Sequence, residues 1–280
     1  MPDYYTHLKF GQAVLSRLCE PLAEKLRREG AAFRLGCFGP DPLLFHRPLL
    51  PSAVRAEGRR AHRESAGRAL ERLRPAVKAG RPQAWGYAAG FLCHFALDSA
   101  CHEYIETVDA RGGVTHAGME AELDRTMKAA DGLDPLRESG LPADRWPEEL
   151  WPVAALAYEG ITPRQMRGST AAFLRVSRLQ TRAAGTRAQR MLNWLARHSV
   201  RCAPAEGAVL GRTPDPRCAE TTEELLRRFG AAVEETPAQM EAFFRAVEAD
   251  EPLAHWLDRN FSGRLPGQAR EGAVPSGAAR

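Results

Sequence analysis

Apolar residues recur at helical spacing along most of the chain. Between Leu8 and Glu29, Val14, Leu15, Leu18, Leu22 and Leu26 share one face, which predicts a first helix stopped by Gly30. Residues 33–51, FRLGCFGPDPLLFHRPLLP, carry two glycines and four prolines and predict a compact, shaped loop. Ser52–Val77 and Pro82–Val108 read as two further helices; the second is unusually apolar, hence central, and ends before Arg111-Gly112-Gly113. Thr115 is placed to cap a fourth helix running to about Ala130. The Gly-, Pro- and Asp-rich stretch 131–147 separates these from a second set: Glu149–Tyr158, Pro163–Ser199, Thr222–Val233 and Pro237–Val247. Alternating β patterns are scarce and no Asn-Gly or Asp-Gly turn joins two strand-like runs, so the fold class is all-α, a multi-helix bundle. The last twenty residues have the composition of a disordered tail.

At 280 residues the chain is long enough to bury a core without disulfide staples. No stretch approaches some twenty uncharged apolar residues, so no transmembrane helix is expected and any membrane contact would be peripheral. The start, MPDYYTHLKF, lacks the basic-then-apolar pattern of a secretory signal, which leads to the expectation of a cytoplasmic protein. The net charge of +4 comes almost wholly from arginine, since only Lys9, Lys25, Lys78 and Lys128 are lysines. The basic residues are interspersed with Glu and Asp, so charge gives weak support for a nucleic-acid or anionic-lipid partner. The six cysteines form no CxxC pair and read as small buried apolar side chains. GxSxG, P-loop and GxGxxG motifs are absent, and His102-Glu103-Tyr104-Ile105-Glu106 lacks the second histidine of HExxH.

Six of the eight histidines fall within the first 116 residues, where even spreading would place about three. In GFLCHFALDSACHEYIE, His94, Asp98 and His102 sit four residues apart and share one helix face. His94 and His102 are then roughly 12 Å apart along the axis, whereas a Zn–N bond is about 2.0–2.1 Å, so one ion does not bind both. Asp98 lies one turn from each and can bridge, which points to a multinuclear site among the N-terminal helices. His116 and Glu120, at i, i+4, can chelate the ion held by His102; His7, Asp41 of the GPDP turn and His62 are further candidates. Imidazoles mixed with carboxylates suit zinc better than manganese, iron or calcium.

These residues, with DYYTH, FRLGCFGPDPLLFHR, GRRAHRES and THAGMEAEL, resemble the bacterial zinc-dependent phospholipase C family over roughly residues 2 to 130. The resemblance, which extends to the related zinc-dependent single-strand nucleases, implies a helical protein with a trinuclear zinc site. Carried over, it assigns Asp41, His62, His94 and Asp98 to the first zinc. Asp98 would bridge to a neighbour that also takes His7, and His102, His116 and Glu120 would hold the other ion. The secreted members also use an N-terminal tryptophan, which this sequence lacks; Pro2 or Asp3 would have to replace it, or only two ions bind. Relative to those members the Asp98–His102 interval is two residues shorter and the Asp41–His62 interval longer, and His46 rivals His62.

The activity implied is phosphodiester hydrolysis by metal-activated water, on a phospholipid or another phosphodiester, with Asp41 as general base and Arg47 or Arg125 assisting the phosphate. Tyr4, Tyr5, Phe38 and Phe45 flank the candidates and read equally as head-group lining or core. A zinc-dependent nuclease and a non-catalytic metal-binding helical module are the alternatives, and the absence of a basic, aromatic stripe counts against nucleic acid. The organisation expected is a metal-binding catalytic core over 1–130, helices completing the same bundle over 131–260, and the tail over 261–280.

Overall fold

Proline decides where the first predicted helix divides. In place of one helix over Leu8–Glu29 the chain forms α1 (Tyr4–Leu15) and α2 (Glu20–Arg28). Pro21 sits in the first turn of α2; its ring would clash with the carbonyl of Arg17 in a continuous helix, and Cys19 turns to an extended conformation instead. The computed structural model describes residues 4–47, 50–142, 145–199 and 205–268, and among these it contains twelve α-helices and no strand. Gly30 opens α3 (Gly30–Gly36) rather than ending its predecessor. Pro42 lies in the first turn of the short α4 (Asp41–Leu44), so part of the expected loop is helical.

The predicted helix Ser52–Val77 is likewise two, α5 (Ala53–Arg63), capped by Ser52, and α6 (Ala66–Lys78). Glu64 and Ser65 are extended between them. The backbone groups freed at that break are taken up by the C-terminal segment: Ala66 N–H donates to the Arg259 carbonyl, and Phe261 N–H donates to the His62 carbonyl. Phe261, assigned by composition to the tail, is buried; residues 269–280 lie outside the described residues.

α7 (Ala84–Arg111) is the central element, and every residue from Ala84 to Asp98 is buried. α3 crosses it so closely that a Cβ on Gly36 or Gly90 would collide with the facing backbone. α8 (His116–Ala130) begins at the predicted cap, with Gly118 N–H donating to Thr115 Oγ1 at 3.1 Å.

The second set comprises α9 (Leu150–Leu156), α10 (Pro163–Ala183), α11 (Arg187–His198) and α12 (Ala219–Ala249). The predicted span Pro163–Ser199 divides at Gly185, whose φ of +67° places it in the left-handed region. The two helices expected around Pro237 are one. Pro237 has no N–H to continue the ladder, while Thr236 Oγ1 donates to the Ala232 carbonyl at 2.7 Å. α12 packs on α7, α1 and α8, and α10 packs on α4 and α9, so one apolar core draws on both sets. Among the described residues no helix is long and apolar enough to cross a membrane.

Candidate metal centre

Five helices converge on one polar cluster inside this apolar core. α7 carries His94, Asp98 and His102 on one face; α8 brings His116 and Glu120, α1 brings His7, α4 brings Asp41 and α5 brings His62. Their side-chain atoms form three groups, His7/His94/Asp98, Asp41/His62/His94 and His102/His116/Glu120. Asp98 stands in the middle. One oxygen, Oδ1, is 3.2 Å from His7 Nε2 and 3.4 Å from His102 Nε2, and the other is 3.2 Å from His94 Nε2. On one side Glu120 Oε1 lies 3.4 Å from His102 Nε2 and 2.8 Å from His116 Nε2. On the other, Asp41 Oδ1 lies 2.9 Å from His62 Nε2 and 4.0 Å from His94 Nε2. Nitrogen and oxygen atoms thus alternate from His116 to His62, through a region in which His94, Asp98 and Glu120 are almost wholly buried.

Backbone carbonyls fix the imidazoles so that Nε2 points inward. His94 Nδ1 donates to the Cys37 carbonyl at 3.1 Å and His62 Nδ1 to the Gly58 carbonyl at 2.7 Å, the outer contact typical of metal-binding histidine. Gly39, at φ +49°, lets the chain after Cys37 close on the His94 ring; a Cβ there would strike the imidazole. His7 stacks on the same ring with centroids 4.2 Å apart.

This arrangement fits a cation. With Nδ1–H committed to Cys37, a neutral His94 presents a lone pair at Nε2, and 3.2 Å away Asp98 Oδ2 presents another. Both atoms are buried, and no hydrogen bond of acceptable geometry joins them. Two buried acceptors facing each other are costly unless a positive charge lies between. Ligand atoms around tetrahedral zinc are roughly 3.3 Å apart, given bonds of about 2.0–2.2 Å, and the 3.2–3.4 Å separations around Asp98 match that spacing.

Burial alone would raise the Asp98 carboxyl, but His102 and His94 outweigh it and hold it well below the usual carboxylate range. Glu120 is held low in the same way by His116 and His102. Burial would lower His62, yet the bond to Asp41 and that group's charge raise it.

Residues that pattern alone did not single out hold the frame. The Asp124 carboxylate of α8 accepts from Thr6 N–H at 2.8 Å and Thr6 Oγ1 at 2.7 Å, pinning the start of α1 and with it His7. Lys128, buried one turn on, lies 3.9 Å from that carboxylate. Only the i, i+4 spacing of Asp124 and Lys128 signalled this anchor. Phe261, in a Gly- and Pro-rich stretch, carried no signal; its ring lies 5.2 Å from His62 and 5.6 Å from His94.

Other sequence candidates stand elsewhere. His46 bonds Ser52 Oγ through Nδ1 and joins none of the three groups. Arg125 is buried and committed to Glu122 at 2.8 Å and to the Gly211 carbonyl at 2.7 Å, so it does not serve a phosphate at the centre. Arg47 is exposed on the turn after α4. Tyr4, Phe38 and Phe45 pack on Phe173 of α10, Tyr4 and Phe38 in the core and Phe45 half-buried against it, and Tyr5 is bonded to Asp131. Pro2 and Asp3 lie outside the described residues.

Comparison with known proteins agrees with this geometry. The model of a family described as zinc dependent phospholipase C matches residues 6–151, just over half of the chain and a span that includes all eight cluster residues. No curated protein and no solved structure matches the chain.

Proposed function

Because the chain belongs to the zinc-dependent phospholipase C family, we propose that it hydrolyses a phosphodiester, that of a phospholipid or of a soluble compound, at this centre. The observation that carries the reading is the buried pair of acceptors, His94 Nε2 and Asp98 Oδ2, set among six further ligand-type side chains. We assign Asp41, His62, His94 and Asp98 to one zinc site, with Asp98 shared with a neighbouring site that takes His7, and His102, His116 and Glu120 to another. Two or three ions would be held. Zinc bound there supplies Lewis acidity, which brings water towards ionisation near neutral pH, and positive charge for the phosphate oxygens.

The chain's own residues do the rest. Asp41 is the general base, accepting a proton from the attacking water. His62 Nε2 lies 2.9 Å from Asp41 Oδ1, so with zinc bound both atoms would face the same ion, which would fix the orientation of the carboxylate. The carbonyls of Cys37 and Gly58 keep His94 and His62 in the tautomer that offers Nε2. Phe261 and the surrounding apolar core exclude bulk water from the inner ligands.

Elemental mass spectrometry of purified protein, alongside hydrolysis of a chromogenic phosphodiester, tests the reading. Two or three zinc equivalents, lost together with activity in the His94→Ala/Asp98→Ala variant, are expected. No tightly bound transition metal after purification with zinc and without chelator would overturn it. Zinc retained without hydrolysis of any phosphodiester would leave a non-catalytic metal-binding module.

A further inference from the structure

α11 is an inside-out helix. At 100° per residue, Met191, Leu192, Trp194 and Leu195 fall in one arc of about 160°, and all four are exposed, Trp194 by 57%. Gln189, Asn193 and Ala196, the residues of this helix that are not exposed, fall on the opposite side. The helix thus turns its large apolar side chains to the surroundings, with Arg187 and His198 in the same arc at its two ends, and sets Gln189 and Asn193 beside Ala196 on the inner side, the reverse of a helix that serves only to cover a core.

The charge around this arc is of one sign. From Gly160 to Ala205 the sequence has nine arginines and no Asp or Glu, while the net charge of the whole chain is +4, so the remainder is net acidic. Among the described residues the ion pairs of this stretch are Arg167–Glu148 and Arg197–Glu206. Arg175, Arg178 and Arg182 of α10 and Arg187 and Arg190 of α11 are exposed and make no ion pair among the described residues. Arg175, Arg178 and Arg182 line a groove of about 800 Å³ between α10 and the segment leading into α9. The groove is also lined by Trp151, whose indole Nε1–H is buried with no hydrogen-bond partner among the described residues.

We propose that the α10–α11 face docks on an anionic lipid bilayer. In this arrangement Trp194 and its apolar neighbours enter the boundary between head groups and acyl chains, and the α10 arginines and the groove meet lipid phosphates. The composition of α11, an apolar arc with tryptophan flanked by arginine and no acidic residue, is that of an interfacial helix. A second copy is a poor occupant, because a symmetric contact would press the same unpaired arginines against each other. The inference deepens the proposed function by giving the enzyme a lipid surface as its working substrate phase. α10 links the two regions, since Phe173 on its inner side packs against Phe38 and Phe45, which flank Asp41.

The test is flotation of the zinc-loaded full chain with phosphatidylcholine vesicles, with and without phosphatidylglycerol, each preparation also being assayed on a soluble chromogenic phosphodiester. Binding is expected only with phosphatidylglycerol, to weaken as salt rises, and to blue-shift tryptophan emission in a way that Trp194→Phe removes. Arg178→Glu/Arg182→Glu should weaken binding by at least 25-fold, from roughly fivefold per arginine near an anionic surface. Trp194→Ser/Leu195→Ser, an exposed pair, should weaken it about tenfold or more. Both variants should keep activity on the soluble substrate. Equal binding to neutral and anionic vesicles, no binding, or unchanged binding by both variants would overturn the proposal, as would a dimer in solution that the Trp194 variant dissociates. Vesicle binding without hydrolysis would instead count against the catalytic reading alone.

Discussion

Phe261 offers the sharpest test of how the C-terminal segment serves the centre. Its side chain is 1% exposed, and its ring centroid lies 5.2 Å from His62, 5.4 Å from Phe95, 5.6 Å from His94 and 5.8 Å from Phe91. Its neighbours are themselves tied down: Ser262 Oγ donates to Glu106 at 2.6 Å, and the Arg264 guanidinium pairs with the same carboxylate at 2.6 Å. The site therefore has little freedom to collapse when the ring is removed, and Phe261→Ala should cost about 3–5 kcal/mol. Against a total of about 5–15 kcal/mol for an ordinary domain, such a loss is visible as a large fall in the urea midpoint at unchanged slope. Two of the four rings freed are candidate ligands, so zinc affinity, read by competition with a chromophoric chelator, should fall as well. Phe261→Leu keeps most of the volume and should lose less than half as much of each. A Phe261→Ala protein with its urea midpoint and zinc affinity unchanged would refute the reasoning, because it would mean the segment lifts away without consequence.

Four other outcomes follow. His62→Ala should release zinc and abolish phosphodiester hydrolysis while His46→Ala leaves the metal content intact, since His46 is turned to Ser52; the reverse result in elemental analysis would exchange their roles. Gly39→Ala should destabilise by more than about 1 kcal/mol and lower zinc occupancy, because φ of +49° and the His94 ring both oppose a Cβ, and a normal thermal melt would contradict this. The pKa of Lys128 is lowered, by burial against a smaller opposing effect of Asp124. The unfolded chain therefore binds the extra proton between the folded and the ordinary lysine value; the contribution to stability is complete above that window and lost as pH falls through it. Lys128→Met should remove this rise, seen as a smaller change in urea midpoint between neutral and alkaline buffer. Chelation should lower the melting temperature, and restored zinc should recover it, since a ligand held a thousandfold above its dissociation constant adds about 4 kcal/mol.

Legibility followed the range of the physics. Thr115 capping α8 and the one-sided spacing of His94, Asp98 and His102 depend on neighbours within a turn or two, and both are found as the sequence predicted. Helix ends that depend on distant partners were misplaced. The break between α5 and α6 is stabilised by backbone groups of Arg259 and Phe261, some two hundred residues away, which no local pattern encodes. Continuity through Pro237 likewise depends on the packing of α12 against α7, α1 and α8, which outweighs the lost backbone bond. At the centre, residue type and order marked the eight candidate side chains. Which histidine faces inward, 62 or 46, was decided by the Gly58 carbonyl and the Ser52 hydroxyl. Trp194 is exposed because α11 turns Asn193 and Ala196 inward instead, an orientation set by distant packing.

Charge gives a reason for the proposed plurality of ions. Asp41, Asp98 and Glu120 bring three carboxylates into a buried region, and histidines serving as ligands are neutral. One divalent ion would leave the cluster net negative, repelling a phosphodiester anion. Two would leave it net positive by one charge, and three by three, so attraction for the substrate begins with the second ion. The side chains are arranged for sharing rather than isolation: His94 belongs to two of the three groups, and Asp98 Oδ1 lies between His7 and His102. Residues shared in this way would hold like-charged ions close despite their repulsion, because a carboxylate common to two ions would lower the cost for both. A site built for a single structural ion would have no need of the third carboxylate or of His102 and His116 beyond it. On the proposed reading, the same surplus positive charge that draws the phosphate in is what the buried carboxylates are there to moderate.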